Sequence, residues 1–215
     1  EYIKAGKGKI EKTKYAHNTW NDETHTGTSV IKDEVLVLDA MAMKDICYLM
    51  PCPKSPHGCD VDPTGEYIVG SGKLAALIPV FSFDKMVKAI GKKDYEGDYE
   101  GIPVLKYNSV LHGEVQKPGL GPLHTEFDGK GNAYTTFFVS SEVVKWDIKT
   151  LKVLDRVPTY YSVGHLMIPG GDSKKPFGKY LVAYNKITKD RYLPTGPELT
   201  QSAQLYDISG DKMKL

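Results

Sequence analysis

The sequence predicts an all-β fold made of small antiparallel sheets. Three observations support this: short runs rich in β-branched and aromatic residues, turn signals between these runs, and 21 glycines and 13 prolines in 215 residues. Repeated small sheets of about 40 to 50 residues each are typical of a β-propeller. We therefore expect a single partial β-propeller domain over residues 1–215, with about four blades, some of them partial.

Six runs are predicted as strands because β-branched and aromatic residues dominate them and Gly, Pro, Asp or Asn flank them. In chain order they are residues 34–39, 66–69, 75–83, 133–139, 142–146 and 179–184. One segment, Phe83 to Lys92, is predicted to be helical. The stretch from Lys92 to Val115 is rich in Asp, Glu, Tyr and Gly, and we expect it to be a connecting loop.

Two turn motifs of the same type precede predicted strands. They are Asp62-Pro63-Thr64-Gly65 and Asp128-Gly129-Lys130-Gly131. In such a turn the aspartate caps backbone N–H groups, and the glycine adopts a positive φ at little cost. Both motifs therefore predict tight connections between neighbouring strands.

The composition excludes some classes of function. The net charge of +1 gives no electrostatic support for binding nucleic acid or an anionic membrane. No run approaches the ~18 apolar residues that span a bilayer. The chain shows no signal peptide, and we expect it to be an internal segment of a longer protein. The spacing of Cys47, Cys52 and Cys59 fits no standard zinc site, so they are expected to be free or singly paired thiols.

Three of the six histidines share a sequence context. His57, His124 and His165 each follow Pro or Gly closely and precede a turn that leads into a strand. At equivalent positions of successive blades, all three would begin an inner strand and point toward a central channel. Neutral imidazole is a good copper ligand. The alternative is that they are partly exposed turn residues; the other three histidines, His17, His25 and His112, are expected at the surface.

Three segments resemble nitrous oxide reductase. They are residues 55–58 with 62–67 (SPHG with DPTGEY), residues 119–136 (GLGPLHTEFDGKGNAYTT) and residues 186–197 (KITKDRYLPTGP). The resemblance covers about residues 50 to 215. It implies a seven-bladed propeller that is followed, in this family, by a cupredoxin domain lying outside this chain.

The resemblance also implies site residues. His57, His124 and His165 match three of the seven histidines that hold a four-copper sulfide cluster in the family. Lys186 matches a lysine near the cluster, where a cation would stabilise developing negative charge on oxygen; its alternative is a solvated surface charge.

Calcium is a further possible cofactor by the same resemblance. Candidate ligands are the carbonyl of Lys186 with Glu198 and Gln201 at one site, and Glu23 and Asp33 at another. The family position aligned with Gln201 is a glutamate, and all of these groups could instead be ordinary loop residues.

The family reduces nitrous oxide to dinitrogen and water in denitrification, as a periplasmic copper oxidoreductase. The resemblance implies a head-to-tail homodimer, a binuclear copper centre in the cupredoxin domain, and an electron donor such as a cytochrome c or a cupredoxin. With three of seven ligands, this chain alone is expected to be inactive. Two alternatives stay open: a non-enzymatic propeller scaffold, and another periplasmic metal-binding propeller.

Overall fold

The computed structural model describes residues 10–21, 26–38, 41, 43–185 and 202–215. In chain order the elements are β1 (Ile10–Asn21), β2 (Thr26–Leu38), β3 (Pro56–Val61), β4 (Tyr67–Gly72), β5 (Leu77–Ser82), α1 (Phe83–Lys92), β6 (Tyr95–Tyr99), β7 (Ile102–Leu105), α2 (Tyr107–Val110), β8 (Leu111–Gln116), β9 (Pro122–Phe127), β10 (Asn132–Phe137), β11 (Glu142–Asp147), β12 (Val153–Pro158), β13 (Val163–Met167), β14 (Tyr180–Asn185) and β15 (Ser202–Asp207). Neither of the helices in the described ranges combines the length and apolar character needed to cross a membrane. The prediction of an all-β protein is confirmed.

The chain divides into two compact units. Unit 1 comprises residues 1–49 and 95–104, and unit 2 comprises residues 50–94 and 105–215. Within unit 1, β1 pairs with β2 in an antiparallel hairpin whose register shifts between Tyr15 and Ala16, and β6 pairs with β7. Leu49 forms an isolated bridge to Val104.

Three antiparallel sheets make up the described part of unit 2. Their strand orders are β3-β4-β5-β8, β9-β10-β11-β12 and β13-β14-β15. In each sheet the first strand of the chain lies at one edge and the following strands are added in sequence. This meander is the arrangement of a propeller blade, and it supports the predicted fold class.

The sheets of unit 2 stack through two apolar layers. The first layer joins the first and second sheets through side chains such as Val80, Phe137 and Trp146, which are fully buried. The second layer joins the second and third sheets through Tyr134 and Leu181 among others. Strand β12 shows the alternation of half-buried and exposed residues that an outer edge strand requires.

The aspartate turns have the predicted role. Asp62 accepts hydrogen bonds from the N–H groups of Thr64 (3.1 Å) and Tyr67 (2.8 Å) at the start of β4. Asp128 accepts from the N–H groups of Lys130 (2.7 Å) and Asn132 (3.2 Å) at the start of β10. The glycines that end both motifs have positive φ, 78° at Gly65 and 91° at Gly131.

The helix is confirmed and the predicted loop is wrong. Helix α1 spans Phe83–Lys92, as predicted; it begins after Ser82, whose hydroxyl accepts from the N–H of Lys85, and ends at Lys93 with φ 54°. The stretch from Lys92 to Val115 is not one loop, because it contains β6, β7, α2 and most of β8. Strand β8 completes the first sheet by pairing with β5, a long-range pairing that the polar local sequence does not indicate.

Candidate functional site

The histidines singled out from the sequence lie on the first strand of each sheet in unit 2. His57 is on β3, His124 on β9 and His165 on β13, in each case within the first three residues of the strand. These three strands are the equivalent edge strands of their sheets. The sheet topology therefore gives the three histidines nearly the same place in three successive blades.

A β-bulge occurs at each of the three positions. In the first sheet His57 and Gly58 face Ser71 alone, because Pro56 pairs with Gly72 and Cys59 pairs with Gly70. The corresponding two-against-one steps are Leu123 and His124 against Thr136 in the second sheet, and Gly164 and His165 against Tyr184 in the third. Bulges bend a strand and redirect a side chain, and they are frequent beside functional sites.

The structure brings the three imidazole rings together. The ring centroids of His57 and His124 are 4.7 Å apart at an interplanar angle of 82°. Those of His124 and His165 are 4.5 Å apart at 21°, which is a stacked arrangement. His57 and His165 are exposed and His124 is half-buried between them. Three imidazole side chains from three strands thus form one continuous, accessible cluster.

The ring planes limit what this cluster could hold. The lone pair of an imidazole nitrogen lies in the ring plane, so two stacked, nearly parallel rings cannot both direct a lone pair at one atom. In this arrangement a single ion bound by both His124 and His165 would require one of the rings to turn. Among the described residues there is no group of three or more His, Cys, Asp or Glu side chains arranged to hold one metal ion.

Three carboxylates near the histidine strands were missed in the sequence. Asp60 on β3 and Glu126 on β9 occupy equivalent positions, and Asp172 follows β13. Burial first, and then the negative charges of Asp172 and Asp60, raise the pKa of Glu126 to about 8, against the opposing effect of a hydrogen bond from the N–H of Ile168. Burial also raises the pKa of Asp60 to about 6, with a contribution from Asp172, although the N–H of Thr125 donates to its Oδ2 (2.8 Å) and opposes this.

Glu126 is fitted closely to the third sheet. It is 8% exposed, and its Oε2 has no hydrogen-bond partner in the described part of the chain. A Cβ at Gly171 would lie 1.6 Å from this oxygen, so the position requires glycine unless Glu126 moves. A pattern could have pointed to these acids, because Glu126 is two residues after His124 and lies on the same face of a strand.

The other residues singled out from the sequence fall elsewhere. Lys186, Glu198, Gln201, Glu23 and His25 lie outside the described residues, and Asp33 and His17 are described only as backbone positions in β2 and β1.

His112 and the three cysteines are described in full. His112 is on β8, at the opposite edge of the first sheet from His57, where its Nε2 is 3.2 Å from the carbonyl oxygen of Lys149. Cys47, Cys52 and Cys59 are free thiols.

Comparison with known proteins agrees with this architecture. Residues 156–215 match the family model described as nitrous oxide reductase propeller repeat. The chain is 39% identical over 176 residues to nitrous-oxide reductase of Stutzerimonas stutzeri, an alignment that covers 77% of this chain and 26% of that protein. It is 37% identical over 176 residues to nitrous-oxide reductase of Pseudomonas fluorescens, with the same coverage. The chain thus spans about a quarter of the length of these relatives.

A likeness to a solved structure concerns the fold alone. A chain in the crystal structure of the mitotic checkpoint complex superposes with a TM-score of 0.50 at 8% identity, over 74% of this chain and 37% of that one. The sequence relationship is the stronger finding, because it joins a family model to relatives that align along most of the chain. The chain is similar in sequence to about a quarter of these nitrous-oxide reductases, and its residues 156–215 match the propeller repeat of that family.

Proposed function

We propose that this chain supplies three of the histidine ligands of a four-copper sulfide centre that reduces nitrous oxide to dinitrogen and water. The observation that carries the proposal is the cluster of His57, His124 and His165, whose rings lie 4.5–4.7 Å apart in sequence order. The curated relatives are named nitrous-oxide reductase, which supports the same substrate.

The donor set fits a polynuclear copper site. Imidazole nitrogen is a ligand that copper binds strongly, and the three rings lie close enough together to serve one small cluster. The bulge at each histidine bends the strand and redirects its side chain. The role of the three histidines is to hold and orient the metal centre, and each of their rings comes from a separate sheet.

The reaction consumes two electrons and two protons for each nitrous oxide, and yields one dinitrogen and one water. A copper–sulfide centre supplies both electrons at one place when it is bound. The chain's own contribution is the set of three imidazole rings, of which those of His57 and His165 are exposed. Lys186, matched by resemblance to a lysine near the cluster, would stabilise negative charge on the departing oxygen.

The remaining parts of the proposal concern the whole protein. We expect a periplasmic homodimer with a binuclear copper centre in a cupredoxin domain, and electrons from a cytochrome c or a cupredoxin. Calcium bound near Lys186 or near Asp33 is a further expectation from the resemblance. These statements come from the family, and this chain covers about a quarter of its relatives' length.

The test uses the full-length protein with alanine in place of His57, His124 or His165. Each variant is expected to lose most of its copper and acid-labile sulfide and at least 100-fold of its nitrous oxide consumption with an artificial reductant, because a ligand to a shared cluster is removed. His124→Ala should be the most severe, since His124 contacts both other rings.

His112→Ala is the matched control, because His112 lies at the far edge of the first sheet. It should keep wild-type copper and activity. Full copper loading and activity in all three ligand variants would refute the proposal. A wild-type protein without copper would favour a scaffold, and one with metal but no sulfide would favour a different metal-binding propeller.

A further inference from the structure

Two buried hydroxyl groups stand opposite the histidine bulges. Ser71 on β4 is the single residue that faces the bulge of the first sheet, and Thr136 on β10 is its equivalent in the second sheet. Their exposed fractions are 1% and 0%. Neither residue belongs to the histidine cluster. A buried hydroxyl nevertheless occurs opposite the bulge in both sheets, and this repetition needs a structural explanation.

Each hydroxyl bridges two successive edge strands. The Oγ of Ser71 accepts a hydrogen bond from the N–H of Gly58 on β3 (2.6 Å) and donates to the carbonyl oxygen of Leu123 on β9 (2.5 Å). The second hydroxyl repeats the pattern one sheet later. The Oγ1 of Thr136 accepts from the N–H of His124 (3.4 Å) and donates to the carbonyl oxygen of Gly164 on β13.

The acceptor of each bridge is the residue directly before a histidine. Leu123 precedes His124, and Gly164 precedes His165. The donors are equally close, because Gly58 follows His57 and the second bridge begins at the N–H of His124 itself. A movement of either hydroxyl would therefore change the distance between two histidines. A buried carbonyl that loses its donor is costly, which makes the bridges resistant to thermal opening.

Each pair of edge strands is joined by a further hydrogen bond beside the hydroxyl bridge. In the first pair the N–H of Thr125 on β9 donates to Asp60 Oδ2 on β3 (2.8 Å). In the second pair the N–H of Ile168, directly after β13, donates to the carboxyl group of Glu126 on β9. The second junction thus repeats the arrangement of the first.

We infer that Ser71 and Thr136 are positioning residues that set the spacing of His57, His124 and His165, and through it the geometry of the metal centre. The second part of this inference rests on the proposed function. The first part concerns the chain alone and can be tested without metal.

The test compares Thr136→Val with Thr136→Ser in the full-length protein. Valine keeps the shape of threonine and removes the hydroxyl, whereas serine keeps the hydroxyl and removes a methyl group. We expect Thr136→Val to lose at least threefold of the bound copper and to shift the visible absorption and electron paramagnetic resonance spectra of the remainder. Thr136→Ser should restore both the copper content and the spectra.

Thr135→Val separates positioning from ordinary stability. Thr135 is the neighbouring buried residue of β10. Its hydroxyl bonds to Oγ1 of Thr125 (2.8 Å), the residue after His124, and accepts from Trp146 Nε1 (2.9 Å); unlike the hydroxyl of Thr136, it is not described as bonded to β13. This variant should lower stability and leave the spectra of the bound copper unchanged. An identical spectral change in Thr135→Val, or no change in Thr136→Val, would overturn the inference.

Crystal structures of the metal-free wild type and Thr136→Val decide the spacing independently of copper. The separation of the His124 and His165 ring centroids should increase from about 4.5 Å in the variant; an unchanged separation would overturn the inference. A wild type that shows the short spacing but never binds copper would defeat the proposed function and leave the positioning role intact.

Discussion

The edge strands that carry the histidines and the apolar layer between the first two sheets are stabilised in different ways. The layer is filled by fully buried apolar side chains such as Val80, Phe137 and Trp146. The edge strands are joined instead by a few hydrogen bonds, through Ser71 and Thr136. We therefore expect stability and site geometry to depend largely on different residues of this chain.

The two regions are joined by a short polar path. The Nε1–H of Trp146 donates to Thr135 Oγ1 (2.9 Å), and this hydroxyl is 2.8 Å from Thr125 Oγ1. The N–H of Thr125 in turn donates to Asp60 Oδ2. Variants along this path therefore measure how separate the two regions are.

The largest effect is expected for Trp146→Ala. Removal of a large, fully buried indole leaves a cavity and should lower the free energy of unfolding by about 3–5 kcal/mol. Denaturant unfolding of the full-length protein measures this loss. Trp146→Phe keeps most of the apolar volume and removes the hydrogen bond to Thr135, so it should cost about 1–3 kcal/mol.

Copper content per folded molecule is the second measurement on these variants. It should stay at the wild-type level in Trp146→Phe, because the histidine strands keep their bridges. Loss of copper in this variant without greater instability would show that the layer, and not only the bridges, controls the site.

A smaller effect is expected for Gly58→Ala, which acts on the edge strands. The new Cβ would lie 2.0 Å from the carbonyl oxygen of Leu123, a backbone atom that cannot rotate away. Such overpacking typically costs about 1–3 kcal/mol. It also displaces the acceptor of the Ser71 bridge, and copper content should therefore fall more than the loss of stability alone predicts.

Gly91→Ala is the matched control for this substitution. Gly91 is in α1 with nothing within 4 Å of its added Cβ, and alanine is favoured over glycine in a helix by about 0.5–1 kcal/mol. The two variants should shift the unfolding midpoint in opposite directions. A Gly58→Ala protein as stable and as rich in copper as wild type would contradict the close approach of the two edge strands.

The smallest effect is the pH dependence that Asp60 contributes. Its pKa is raised from 3.8 to about 6 in the folded chain, mainly by burial. Between about pH 4 and 6 the folded carboxyl holds its proton while the unfolded one does not, so the free energy of unfolding falls as the pH rises through this window. Asp60→Asn carries no charge and should be more stable than wild type at pH 7.5, with little difference at pH 4.

The gain in stability of Asp60→Asn has an upper limit of about 3 kcal/mol, at 1.36 kcal/mol per pKa unit, and partial solvent exposure should reduce it to about 1 kcal/mol.

Asp147→Asn supplies a control of opposite sign. The N–H of Thr150 donates to Asp147 and lowers its pKa, so this carboxylate stabilises the fold above pH 4 and loses that effect as the pH falls. Thermal unfolding of both variants from pH 4 to 7.5 should give curves that diverge from wild type in opposite directions.

The local features of the fold were predicted from the sequence. Helix α1, the aspartate turns at Asp62 and Asp128, and the all-β class follow from patterns of a few residues that act within one turn or one strand. The placement of His57, His124 and His165 on equivalent strands was also anticipated, because each is flanked by similar Pro, Gly and Asp signals.

Features that depend on pairing between distant segments were not predicted. Strand β8 was taken as loop because its polar residues are stabilised by pairing with β5, more than twenty residues earlier in the chain. The approach of Asp172 to Glu126 and Asp60 arises only when three sheets stack, and no local pattern connects these residues. The hydroxyl bridges of Ser71 and Thr136 also join residues that are distant in sequence, so no local pattern predicts them.

The histidine cluster is less symmetric than the three sheets that carry it, because the histidine does not take the same position in every bulge. His57 takes the first of the two bulge positions, whereas His124 and His165 take the second. A shift of one residue inside a bulge leaves the pairing of the strands intact and turns the side chain toward a different direction. His124 consequently has an edge-on ring on one side and a stacked ring on the other. A repeating scaffold thereby gives one of its repeated side chains unlike neighbours on its two sides.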